Sequence, residues 1–134
     1  MARLIAREAA MQLIFEQIFG GEGETEALVD LIDYAPDEKE RAYIDTMVAG
    51  VKEHAADLDS EIAACLRGWT IQRLSRVDLS ILRLSVYEMK YAKLPAAVSI
   101  NEAVELTRKY SSESSCSFVN GVLGTISRKL AAKA

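Results

Sequence analysis

Arg108, Lys109 and Tyr110 stand directly before five serines spread over residues 111–117, and Phe118 follows at once. Such a set suits RNA. Cations neutralise phosphates, flat rings stack on unpaired bases, and hydroxyls bond base edges or 2′-OH groups. A helix starting just after the serines, near Ser115, adds free N–H groups and a positive dipole end, both favourable to phosphate. Near the N-terminus, Arg3 and Arg7 are four residues apart and so share one helix face, offering two more fixed cations. The candidate RNA-binding residues on these features are therefore Arg3, Arg7, Arg108, Lys109, Tyr110, Phe118 and the serine hydroxyls between them. Each also has a plainer reading. Arginines on a helix are commonly solvated, serines cap helices, and a phenylalanine heading an apolar stripe belongs partly to the core.

Catalytic chemistry finds little support. The one histidine, His54, has no second histidine and no nearby cysteine, and reads as a solvated or helix-end residue rather than a base or ligand. No phosphate-binding Gly-rich loop occurs, since "GGEGE" at 20–24 lacks the Lys-Ser/Thr ending and a preceding strand. Cys65 and Cys116 lie too far apart for a zinc pattern and form no disulfide framework. The expectation is a non-enzyme with no cofactor and no metal, in a reduced, cytoplasmic setting.

The 134 residues suit one domain, half of them hydrophobic. No apolar run is long enough to span a membrane, and "MARLIAREAAMQ" lacks the features of a secretory signal. The net charge of −4 hides an asymmetry. Residues 21–61 are strongly acidic, and residues 62–134 are basic. A whole-chain pI near 5.1 argues against nonspecific nucleic-acid binding, while the basic C-terminal half leaves room for a directed site.

The elements that must position these residues are helices. Helical periodicity recurs along the chain, and no segment alternates as a half-buried strand does. The first helix covers roughly 3–18, with Leu4, Met11, Phe15 and Ile18 inward. A short helix follows near 25–33, and a third has Pro36 in its first turn. Another runs near 57–67, and the main helix covers about 76–92 and ends before Leu94-Pro95. In "SINEAVEL", Ser99 and Glu102 have the spacing of a capping box. The final helix runs from Ser115 to about 130, with Gly121 and Gly124 allowing close helix approach. The expected fold is all-α, about seven helices packed as two small helical bundles sharing one core.

The main helix carries charges within an apolar sequence. An unpaired buried guanidinium is too costly, so Arg83 is expected half-buried against a carboxylate, with Glu102 or Glu88 as candidates. Asp78 and Gln72 are expected to face a partner protein.

"AREAAMQLIFEQ", "RVDLSILRLSVYEM", "VSINEAVELTRKY" and "FVNGVLGTI" resemble, in that order and over nearly the whole chain, the bacterial transcription antitermination factor NusB family. The resemblance implies binding to boxA-type single-stranded RNA of nascent ribosomal-RNA transcripts together with NusE, a small-subunit ribosomal protein. It also implies assembly with RNA polymerase in an antitermination complex, and a homodimer in some relatives. The family's RNA surface maps onto Arg7, with Arg3 nearby, and onto Tyr110, Ser111, Ser114, Ser117 and Phe118. Its NusE-facing surface maps onto the region of Gln72, Arg76 and Asp78. Asn101, Glu102, Asn120 and Gly121 match signature blocks and are read as architecture. Relatives often carry a denser N-terminal arginine cluster, so RNA affinity without the partner is expected to be weak here, with a small salt dependence. The competing class is a helical protein-interaction module without RNA binding of its own. NusB-like domains also precede some ribosomal-RNA methyltransferases, and a chain ending at Ala134 favours a stand-alone factor.

Overall fold

The computed structural model describes residues 4–20 and 35–133. Arg3 and the helix expected near 25–33 lie outside the described residues. Among the described residues there are six α-helices, one 3-10 turn and no strand. The helices are α1 (Leu4–Ile18), α2 (Glu38–Glu53), α3 (Ala55–Ala63), α4 (Arg76–Lys90), α5 (Ala96–Tyr110) and α6 (Glu113–Ala132), with the 3-10 turn at Ile71–Arg73 before α4.

Helix α4 is the hub. It touches α1, α2, α3, α5 and α6, while α1 packs on α2 and α5 pairs with α6. A helix surrounded this way must be apolar on most sides. Leu79, Ile81, Leu82, Leu84, Val86 and Met89 are accordingly buried around it. On α1, alanines at 6, 9 and 10 are fully buried beside Leu13 and Ile14, and small side chains let the neighbouring helices approach. Leu4, expected inward, is 42% exposed, because the buried stripe begins only at Ala6.

Local chemistry sets the helix ends. Asp37 caps α2 in a capping box with Glu40, its carboxylate accepting from the Glu40 N–H at 2.8 Å. Pro36 thus lies just before the helix and not in its first turn. His54 ends α2 and begins α3. Ser75 caps α4 by accepting from the Asp78 N–H at 3.0 Å.

The capping box expected at Ser99 and Glu102 is absent. Pro95 starts α5 four residues earlier, as its fixed φ and missing N–H favour at a helix start. Ser99 is buried and shares a 2.7 Å hydrogen bond with Ser85.

Beneath these elements lies a buried polar network. The Arg7 Nε sits 3.3 Å from Glu88 Oε2. The Tyr43 hydroxyl donates to the same oxygen at 2.9 Å, and Ser99 donates to the other at 3.3 Å. The Arg7 guanidinium also lies 5.6 Å from the Tyr43 ring centroid. Burial pushes the Glu88 carboxyl above the usual range, against the opposing pull of Arg7 and its hydrogen bonds. Burial, then the Glu88 charge, pushes the Tyr43 phenol strongly up, so it stays a donor. These contacts tie α1, α2, α4 and α5 together.

Arg83 is half-buried and paired with a carboxylate, as expected, but the partner is Asp59 on α3, reached through two hydrogen bonds of 2.8 and 2.7 Å. Glu88 is already engaged by Arg7. Gly121 and Gly124 do not serve close approach. A Cβ on Gly121 would meet nothing within 4 Å, and one on Gly124 would meet only the end of the Arg128 side chain. Close approach occurs instead at Gly50, where a Cβ would clash with the hydroxyl end of the Tyr87 ring. No described helix is long and apolar enough to cross a membrane.

Candidate nucleic-acid interface

The last turn of α5 presents Arg108, Lys109 and Tyr110, and Ser111 ends the helix. Ser112 then caps α6, accepting from the Ser115 N–H at 3.2 Å. The serine row is thus the hinge of the α5–α6 hairpin, and α6 begins two residues earlier than the sequence suggested. Ser114 and Ser117 are exposed on the first turns of α6. Phe118 is half-buried, one side packed against the core. Ser111 and Ser114 are engaged locally, bonding Ser115 at 3.2 Å and Ser112 at 3.0 Å respectively.

Helix α1 does come to this junction, through residues the sequence reading passed over. Glu8 accepts from Lys109 Nζ at 2.7 Å and from the Tyr110 hydroxyl at 3.0 Å. Gln12, one turn further, donates to the same hydroxyl at 3.2 Å. Lys109 Nζ also lies 5.6 Å from the Tyr110 ring centroid. The Glu8 hydrogen bond holds Lys109 above its ordinary range. Burial first, and then Glu8, does the same for Tyr110. Arg108 is held by Glu105 and, at 3.1 Å, by Glu113, which push it up as well.

Arg7 is a correction. It was expected to face RNA but is 1% exposed and engaged with Glu88. The i,i+4 spacing with Arg3 defines a shared face but not which side of the helix the core takes. That side is fixed by the alanines at 6, 9 and 10.

Two grooves border the junction. One, of about 260 Å³, is lined by Trp69, Arg73, Asp78, Ser114 and Phe118 among others. The other, of about 350 Å³, runs between α1 and Tyr110 past Met11, Gln12, Phe15 and Val77. The first brings the hydroxyl-bearing start of α6 against the start of α4. Gln72, just before α4, is exposed and Arg76 is half-buried, and neither lines this groove. Asp78 is only 7% exposed, with Oδ1 lacking a hydrogen-bond partner. It reaches a partner only through the groove and not from an open helix face, a second correction to the sequence reading. Trp69, 55% exposed, and Arg73 were not singled out from sequence. A tryptophan beside a Gly-broken turn, "RGWT", was the signal available.

Among the described residues no cluster of His, Cys, Asp and Glu is placed to hold a metal. Asn101, Asn120 and Gly121, read from sequence as architecture, are exposed.

A family model described as the NusB family matches residues 4–128. The transcription antitermination protein NusB of Clostridium botulinum (strain Kyoto / Type A2) is 43% identical over 140 residues, covering 92% of this chain and 98% of that protein. The structure of T. maritima NusB superposes with a TM-score of 0.83 at 32% identity, covering 96% of this chain and 92% of that one. The NusB fold also appears in a complex of antitermination factors NusB and NusE with dsRNA, where the TM-score is 0.84 at 27% identity, covering 96% of this chain and 99% of that chain. The hub helix, the α5–α6 hairpin and the sequence blocks that build them are thus shared along almost the whole length, and this chain belongs to the NusB family.

Proposed function

We propose that this chain is a transcription antitermination factor that binds boxA-type single-stranded RNA together with NusE, in the cytoplasm, as one NusB-like domain, and supports processive transcription by RNA polymerase. The observation that carries the reading is the docking of α1 onto the α5–α6 hinge. The hinge itself carries Lys109, Tyr110, Ser111, Ser114, Ser117 and Phe118, and Glu8 of α1 holds the first two in place. That surface continues into the groove of Trp69 and Asp78, so RNA and a protein partner at Gln72, Arg76 and Asp78 would meet along one line.

The chemistry of the surface favours unpaired bases. Ring faces at Tyr110 and Phe118 can stack on a base only when it is out of a duplex. Few cations are available, so the electrostatic share of binding is small and the partner supplies much of the affinity. A protein-interaction module without RNA binding has one observation in its favour: Arg108 and Lys109 are both carboxylate-paired.

The test is an anisotropy titration of the chain with NusE, at two salt concentrations, against a boxA-like strand, its scrambled counterpart and a duplex of the same sequence. The boxA-like single strand binds tightest if the reading holds. Equal binding of the boxA-like and scrambled strands leaves the interaction-module reading standing instead.

A further inference from the structure

The junction holds more acid than base. Arg108 and Lys109 face Glu8 from α1, Glu105 from α5 and Glu113 from α6. A surface meant for a polyanion is therefore neutralised by its own carboxylates. Within this cluster Glu8 differs from the other two acids. Its side chain is only 12% exposed, whereas its partner Lys109 is 57% exposed. Glu113 is 77% exposed and Glu105 49% exposed. Glu8 is thus the fixed half of its ion pair and Lys109 the movable half. Glu8 also has a second donor, Tyr110, braced by Gln12, so it keeps its place when Lys109 leaves.

Building on the RNA reading, we propose that Glu8 is an affinity-setting residue of the site, an internal competitor for the phosphate that Lys109 takes. In the free protein its carboxylate occupies the position on Lys109 that an RNA phosphate takes on binding. It acts through two opposed effects. By holding the Tyr110 hydroxyl it keeps the ring presented for stacking. By pairing with Lys109 it competes with the phosphate of any RNA strand, which must displace the carboxylate from the ammonium. An RNA that gains only charge contacts must exchange a carboxylate for a phosphate at little net profit. An RNA that also stacks on Tyr110 and Phe118 and bonds the serines overcomes that exchange. Glu8 therefore lowers affinity for all strands by a similar factor, and strands without the stacking and serine contacts are left with little binding.

The experiment compares wild type and Glu8→Gln, each with NusE, on a boxA-like strand and a scrambled strand over a range of salt. Glutamine keeps an acceptor for Tyr110 while removing the charge. The variant is expected to bind both strands about two- to fivefold tighter, the scale of one partly exposed ion pair. The two strands should gain by similar factors, and the salt slope should steepen by about 0.7, the share of one phosphate on a single strand. In a Lys109→Gln background the same Glu8→Gln change should have no effect on affinity or slope. A readout in the wild type avoids any folding defect in the variant. The Lys109 side-chain ammonium signal in NMR should shift on adding the boxA-like strand, as the group leaves Glu8.

The proposal is overturned if Glu8→Gln leaves affinity and slope unchanged, if it weakens binding, if its gain survives without Lys109, or if the Lys109 signal stays still. These failures differ from failure of the RNA reading. In that case the wild type itself does not distinguish the two strands, and the role of Glu8 falls with it.

Discussion

Arg7 and Lys109 show how differently two cations of the same sequence behave. Both were assigned to RNA on charge and position. Lys109 is exposed at the hinge, while Arg7 is sealed against Glu88 beneath α1. A lone sequence shows that a charge exists and which residues share its helix face. It does not show which face the core takes, because that depends on helices distant in sequence. Glu8 was passed over for the same reason, since its two donors lie about a hundred residues away. Two predictions belong at this scale. Lys109→Glu should weaken RNA binding in an anisotropy titration while leaving the helical circular-dichroism spectrum intact. Glu88→Ala should cost about 3–5 kcal/mol in urea unfolding, the range for stripping one partner from a buried pair. Replacing both partners, Arg7→Met with Glu88→Leu, should recover much of that loss, and a double variant as unstable as the single would show that the pair itself holds the core. The charge reversal Arg7→Glu would wreck the interior and is no test of RNA contact.

At the level of the elements, periodicity and caps placed most helices within a few residues. α4 starts at Arg76 as expected, where Ser75 has a free backbone N–H to cap. α5 was misjudged because two start signals competed. The Ser99–Glu102 spacing looked like a capping box, but Pro95 had already begun the helix, leaving Ser99 to find its partners in the interior. The break between α2 and α3 carries a testable electrostatic clasp. Asp57, in the first turn of α3, accepts from Lys90 at 2.7 Å and from the Tyr91 hydroxyl, and His54 stacks on the Tyr91 ring with centroids 4.0 Å apart. The Lys90 hydrogen bond first, then that of Tyr91, holds the Asp57 carboxyl below its usual range. A lowered acid contributes stability above its unfolded pKa of about 4 and loses it as pH falls through the folded value. Asp57→Asn should therefore melt below wild type at neutral pH, with the gap closing under acid conditions below about pH 4. A gap that is constant with pH would remove the charge from the explanation. Gly121, mid-helix and open to solvent, makes a second test. Gly121→Ala should stabilise by up to about 1 kcal/mol from helix propensity alone, read by thermal melting. A loss of stability would mean that the backbone there is needed in a way the free protein does not show.

Across the whole molecule, the all-α class and the single shared core were legible, because apolar spacing and the scarcity of Gly and Pro left few alternatives. The partner-facing region was legible as a neighbourhood and not as individual residues: Gln72 is exposed, Asp78 is buried in a groove, and Trp69 was missed. The charge asymmetry persists in the folded chain, with the hinge cations lying in the basic C-terminal half. A Gln72→Glu and Arg76→Glu double variant should weaken NusE binding in a titration without lowering the unfolding midpoint by more than a few degrees. An unaltered NusE affinity would move the interface elsewhere.

Gly50 and Tyr87 meet where α2 crosses α4, with no room for even a methyl group between them. Position 50 cannot enlarge alone. A larger residue at 50 must be accompanied by a smaller one at 87, so Gly50→Ala should be tolerated only with a trimmed partner such as Tyr87→Ala. In descendants of this sequence a side chain can appear at 50 only once the ring at 87 has been cut back, so the order of the two changes is fixed.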